Sequence, residues 1–190
     1  MAKAVLISIR PEWVEKILSG EKTLEVRKTR PNMETPFKVY IYCTSGRPDL
    51  NIPISPERLM QDYLDTGSMQ SLNCPLGNGK VVGEFVCDSI VTYNYDYCPH
   101  PEIGMDYDCG DSWWEIDDED LKSACLAEEE FRYYAFGREE MYGWHISNLK
   151  AYDTPKPLSE FKGLRKTKFG YEPDEIKRPP QSWCYVDGLK

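Results

Sequence analysis

Apolar and polar positions change period several times along this chain, and each change marks an element. Ala4 to Ile9 is a continuous apolar, largely β-branched run and predicts a buried strand. Arg10-Pro11 then opens a helix, because proline suits the first helical position. Trp13, Val14, Ile17 and Leu18 form its apolar stripe, and Gly20 stands where a C-terminal cap belongs. From Thr23 to Lys28 the pattern alternates. Leu24 and Val26 point to one side, while Thr23, Glu25 and Arg27 point to the other. Phe37 to Cys43 predicts a further strand, ending in Thr44-Ser45-Gly46.

Residues 46 to 78 are rich in Pro, Asn, Gly and Ser, with one helix predicted from Pro56 to Leu64 and Ser55 as its N-cap. Lys80 to Tyr93 predicts a long strand in which Gly83 marks a bulge or a close backbone approach. Tyr95 to Asp118 reads as a long loop rich in Tyr and Asp, of the kind that is inserted or functional. One or two helices are predicted between Asp118 and Phe136, a strand from Tyr142 to Tyr152, and a last short strand from Ser182 to Val186. Strands that mostly follow one another, with helices at the ends, indicate an α+β domain built on a small closed or half-closed barrel.

Composition narrows this only a little. The 190 residues are read as one domain, and a 41% hydrophobic and 13% aromatic content belongs to a packed chain rather than a disordered one. No apolar run approaches the roughly 20 residues of a membrane span. The opening apolar run of about six residues makes a poor secretory leader, which predicts a cytoplasmic protein. Seven cysteines without a CxxC pair are read as reduced, mostly packed thiols. Cys87, Cys98, His100 and Cys109 could offer three sulfurs and a nitrogen to zinc, but their spacing matches no standard ribbon or finger. No metal site and no cofactor is assigned.

The net charge of −9 is unevenly placed. Glu102 to Glu130 holds twelve acidic residues and one basic one, which leaves 22 basic and 20 acidic residues elsewhere. The acidity therefore belongs to one segment. By default it is a solvated insertion. Its aspartates (Asp106, Asp108, Asp111, Asp117, Asp118) could instead hold a hard cation, although no EF-hand spacing is present, or the segment could repel non-specific RNA. Lys162 to Lys168 is a basic run that reads as a phosphate contact or as ordinary surface.

Several pieces together resemble the ASCH domain (activating signal cointegrator homology), in the PUA-like superfamily of small RNA-associated β-barrels. They are LISIRPEW, SGEKTLEVRK, the strand ending in CTS, GEFVCDSI, YGWHISNLKAYDTPKPLSEF and RPPQSWCYV. The Lys-x-x-Glu-x-Arg signature of Lys22, Glu25 and Arg27 is short, but its position after a strand and a helix strengthens it. The resemblance covers about residues 4–45, 80–92 and 142–186. It implies a mixed, mainly antiparallel PUA-like β-barrel of five or six strands with flanking helices, insertions at about 46–79 and 94–130, and a cleft beside the signature strand. Members of the superfamily bind RNA, modified bases or nucleotides. Some ASCH-like proteins are amidohydrolases acting on acetylated cytidine, and nuclease activity has been proposed for others.

Residue chemistry alone favours a solvated face at Glu25 over an enclosed one, because most polar strand faces are wet. Glu25 and Arg27 lie roughly 7 Å apart on one face of a strand, a weak pair if wet and a directed one if enclosed. The resemblance implies the enclosed reading, with Lys22 aimed into the same cleft by the preceding turn. Arg27 and Lys22 would then hold a phosphate or carbonyl oxygen, and Glu25 would accept from a base or act as a general base. Arg10, Thr44, Ser45, His145 and Ser182 are further ligand-binding candidates, and Trp183, Tyr185 and Trp144 could stack on a base or simply fill the core. In the acetylcytidine amidohydrolases that the chain resembles, a threonine nucleophile follows the lysine by three residues. Glu25 stands there instead, so that covalent route is missing. The expected function is binding of RNA or a modified nucleoside or nucleotide. A small hydrolase using Glu25 and Lys22, and a protein-interaction module using the aromatic, acidic insertion, are the alternatives.

Overall fold

The computed structural model describes residues 3–53, 56–66, 76–97 and 112–188. Strand β1 (Lys3–Ile9) leads into α1 (Pro11–Leu18), β2 (Leu24–Arg27) and β3 (Phe37–Cys43). Helix α2 (Pro56–Thr66) precedes β4 (Val81–Cys87), β5 (Ile90–Tyr97) and β6 (Ser112–Trp114). Two helices, α3 (Asp118–Ser123) and α4 (Glu128–Ala135), are followed by β7 (Glu140–His145) and β8 (Ser147–Lys156). The chain ends with β9 (Lys162–Thr167), β10 (Gly170–Glu175) and β11 (Trp183–Asp187).

Seven strands form one sheet in the order β10-β9-β11-β1-β3-β4-β8, and four form another in the order β2-β7-β5-β6. Only β1 and β3 pair in parallel; every other named ladder is antiparallel. The sheets are joined by a bent ribbon. Strands β4 and β8 pair up to Val86 and Ser147, and after the corner β5 and β7 pair from Ile90 and Trp144. The His145 N–H donates to the Ser89 carbonyl (3.1 Å), and the Ile146 N–H donates to the Thr23 carbonyl (2.9 Å), so the corner is hydrogen-bonded through. The result is a mixed α+β fold with a curled, mainly antiparallel half-barrel and flanking helices. Among the described residues no ladder joins the free ends of the two sheets into a closed barrel.

The two long strands expected at Lys80–Tyr93 and Tyr142–Tyr152 are thus four, because both bend at the same corner. Gly83 is a close approach, as its position predicts. A Cβ there would lie 2.7 Å from the Lys150 carbonyl, and the β4–β8 register shifts beside it. The β9–β10 hairpin was not expected; its basic run is a strand.

Three buried clusters fill the fold. The largest joins Val5, Ile7, Val14, Ile17, Val39, Phe85 and Trp144. A second seats Leu24, Val26, Tyr93 and Met141 against Trp114, Leu121 and Phe131. A third lies on the other face of the large sheet, around Leu6, Tyr40 and Phe161. The later part of the acidic segment is therefore packed: α3 and α4 cover β2, with Asp117 capping α3 by accepting from the Asp120 N–H (2.7 Å). Among the described residues, no helix is long and apolar enough to cross a membrane.

Candidate functional site

Strand β2 is buried on both sides, with all four of its residues enclosed. Its register against β7 explains how. Leu24 lies opposite His145 and Val26 opposite Gly143, whereas Glu25 lies opposite Trp144 and Arg27 opposite Tyr142. Directly opposed residues share a face. Leu24 and Val26 therefore enter the second cluster under α3 and α4, while Glu25 and Arg27 face the first, beside Trp144. The polar side of this strand is not wet: Lys22 is 3%, Glu25 6% and Arg27 8% exposed.

These three charges form one chain. The Lys22 ammonium donates to the Ala124 carbonyl (2.6 Å) and lies 3.5 Å from Glu25 Oε2. Arg27 Nη2 lies 2.8 Å from Glu25 Oε1 and donates to the Ser8 carbonyl, also at 2.8 Å. The turn after α1 brings Lys22 here from its opposite parity. Gly20 takes φ +79°, and the Lys22 N–H donates to the Lys16 carbonyl (2.9 Å). Burial lowers the Lys22 pKa, against the opposing pull of the Glu25 charge. Two cations thus share one carboxylate. Two buried donors in this region have no partner among the described residues: Arg27 Nε and Trp144 Nε1.

Aromatic rings continue outward from Trp144. Its ring centroid lies 6.1 Å from that of Trp183, which lies 5.3 Å from Tyr185. The Trp183 indole N–H donates to Thr29 Oγ1 (3.0 Å), and the Tyr185 hydroxyl accepts from the Asn32 N–H (2.8 Å). Trp183 and Tyr185 are half-buried, so the ring series leads from the buried Trp144 towards the surface. Ser182 contributes its carbonyl, which accepts from the Ser8 N–H (2.8 Å).

The other expected residues are less central. Arg10 lies between β1 and α1 with its side chain 76% exposed, 4.0 Å from Glu12. Thr44 is half-buried and Ser45 exposed, with Ser45 packed beside Gly79; neither hydroxyl bonds to the three charges. His145 shares the Leu24 face, away from Glu25, and its exposed ring places Nδ1 2.6 Å from Asp88 Oδ1. That bond holds the Asp88 carboxyl below its ordinary pKa.

Tyr134, which sequence reasoning passed over, stands at the edge of the site. Burial raises its hydroxyl pKa, while the Arg27 charge opposes the rise and the Glu25 charge adds to it. Its only signal in the sequence is its place three residues after the inward Phe131, at the margin of the α4 stripe.

For the zinc reading, Cys87 is a buried free thiol pushed up to about 12 by burial, and its sulfur lies 3.3 Å from the Ser89 carbonyl. Cys98, His100 and Cys109 lie outside the described residues, as do Ser55, Asp106, Asp108 and Asp111. Among the described residues no group of side chains is arranged to hold a metal. An open groove of about 590 Å³, lined by Tyr95, Trp114, Phe136 and Arg138 among others, shares no residue with the charge chain.

No protein-family model matches the chain. No curated protein matches it either. Among solved structures it is similar to the crystal structure of ASCH from Zymomonas mobilis, with a TM-score of 0.48 and 18% identity over 97% of this chain and 87% of that one. Two mutants of the same Zymomonas mobilis protein match alike. One has a TM-score of 0.47 at 18% identity, covering 97% of this chain and 90% of its own. The other has a TM-score of 0.48 at 18% identity, covering 97% and 88%.

Proposed function

We propose that this chain binds RNA or a modified nucleoside or nucleotide, with an acceptor oxygen of the ligand seated between Arg27 and Trp144. The observation that carries this is the pair of buried, unpartnered donors, Arg27 Nε and Trp144 Nε1, beside two cations that share one carboxylate. A buried donor left unmade costs about 1–3 kcal/mol, which an incoming carbonyl or phosphate oxygen would offset. Trp183 and Tyr185 offer stacking surfaces next to that seat. The ASCH-like motifs support the same reading. The hydrolase alternative is weaker, because both Glu25 oxygens are already engaged by Arg27 and Lys22. That arrangement suits a group that positions its neighbours better than one that takes a proton from water.

Calorimetric titration with CMP, AMP and acetylcytidine tests the proposal. Trp144→Phe keeps an aromatic ring in the fully buried position but removes the indole N–H with its five-membered ring, and Arg27→Lys keeps the charge while removing Nε and the rest of the guanidinium. Each is expected to weaken binding by about tenfold, with circular dichroism unchanged. Wild-type protein that binds none of the three ligands, or variants that bind as tightly as wild type, would refute it. Acetylcytidine is expected to be recovered intact after incubation.

A further inference from the structure

We infer that the aromatic edge of the large sheet is a track for single-stranded RNA that leads into the Arg27–Trp144 seat; this rests on the nucleotide-binding reading above and commits it to a polymer. The ring series does not stop at Tyr185. Tyr171 of β10 lies 5.5 Å from Tyr185, so Trp144, Trp183, Tyr185 and Tyr171 step from the interior to the open edge. Lys3 Nζ sits over the last two rings, 3.7 Å from the Tyr185 centroid and 4.1 Å from that of Tyr171. Successive bases stack on such rings without regard to sequence, and cations among them meet the phosphates.

Charge separates the two faces of the β9–β10 hairpin. On one face Arg165 is compensated by Glu172 and Asp174, at 3.9 and 4.0 Å. Lys166 lies directly opposite Tyr171 and so shares the aromatic face, and among the described residues neither it nor Lys3 forms an ion pair. Asp187, opposite Lys3 in the β1–β11 ladder, is not paired with it. At the far end of the hairpin Lys162 faces Glu175. The uncompensated cations therefore collect beside the rings, and a polyanion with flat bases is the partner that this chemistry fits.

The test compares CMP with fluorescently labelled oligocytidylates of increasing length, on wild type, Tyr171→Leu and Lys3→Gln. Wild-type affinity is expected to rise about tenfold or more over the first few nucleotides. Both variants should lose most of that rise while CMP affinity stays within about twofold, and Lys3→Gln should make the salt slope shallower by about 0.7. If CMP binds but oligomers bind no better, or if both variants keep the length dependence, the track is refuted and the seat stands. If wild type binds neither CMP nor oligomers, the nucleotide reading falls and the track falls with it.

Discussion

Lys22 holds its ammonium where burial disfavours it, and the Glu25 carboxylate and Ala124 carbonyl are what keep it there. Its folded pKa is lowered from 10.5, chiefly by desolvation, so between the lowered value and 10.5 the unfolded chain binds more protons than the folded one. Stability attributable to this residue therefore rises with pH through that window. Urea midpoints measured at several pH values up to 10.5 should show the rise in wild type relative to Lys22→Met, which has no proton to lose there. A constant difference between the two proteins across the window would show that the ammonium is not strained by burial. The three charges were legible as a set from their spacing, but their enclosure was not. Period-2 alternation says which residues share a face, and it is silent on whether a second core lies behind that face. Here α3 and α4 cover Leu24 and Val26, while Trp144 and its neighbours cover Glu25 and Arg27.

At the scale of elements, Glu84 on β4 ties three strands together. Its Oε1 accepts from Lys38 of β3 (3.0 Å) and its Oε2 from the Tyr152 hydroxyl of β8 (2.6 Å). Burial pushes the carboxyl pKa up, but these two hydrogen bonds overcome it and hold the group below 4.5. The stability that follows is present above 4.5 and is lost as pH falls through the folded value. Glu84→Gln is expected to cost about 1.5–3 kcal/mol at neutral pH, the worth of hydrogen bonds to a charged group. In chemical denaturation the gap should close in acid; a gap that persists there would assign the loss to packing. Elements whose apolar period ran uninterrupted, such as β1, α1 and β3, were readable from the chain. The bends at Asp88-Ser89 and Ile146 were hidden because alternation continues across them. The β9–β10 hairpin was hidden because KGLRKT and GYEPDE carry too few apolar residues to announce a strand.

The whole molecule places one core in the service of the site and another outside it. The second cluster seats α3 and its following turn, and so holds the Ala124 carbonyl over the Lys22 ammonium. The third cluster lies on the opposite face of the large sheet and touches none of the three charges. Phe131 belongs to the second and is fully buried; Phe161 belongs to the third and is 1% exposed. Replacing either by Ala removes a comparable ring from a dry interior and should cost about 3–5 kcal/mol. Their effects on CMP binding should nevertheless separate. Below both melting transitions, Phe131→Ala is expected to weaken binding severalfold, because a loosened α3–α4 layer lets Lys22 leave Glu25 and disturbs the Arg27 fork. Phe161→Ala should bind as wild type does, since the β1–β3 ladder stands between its cavity and the seat. Equal affinities in the two variants would mean that the seat is held by the large sheet alone, through the bond from Arg27 to the Ser8 carbonyl, and that α3 and α4 only keep water away from it.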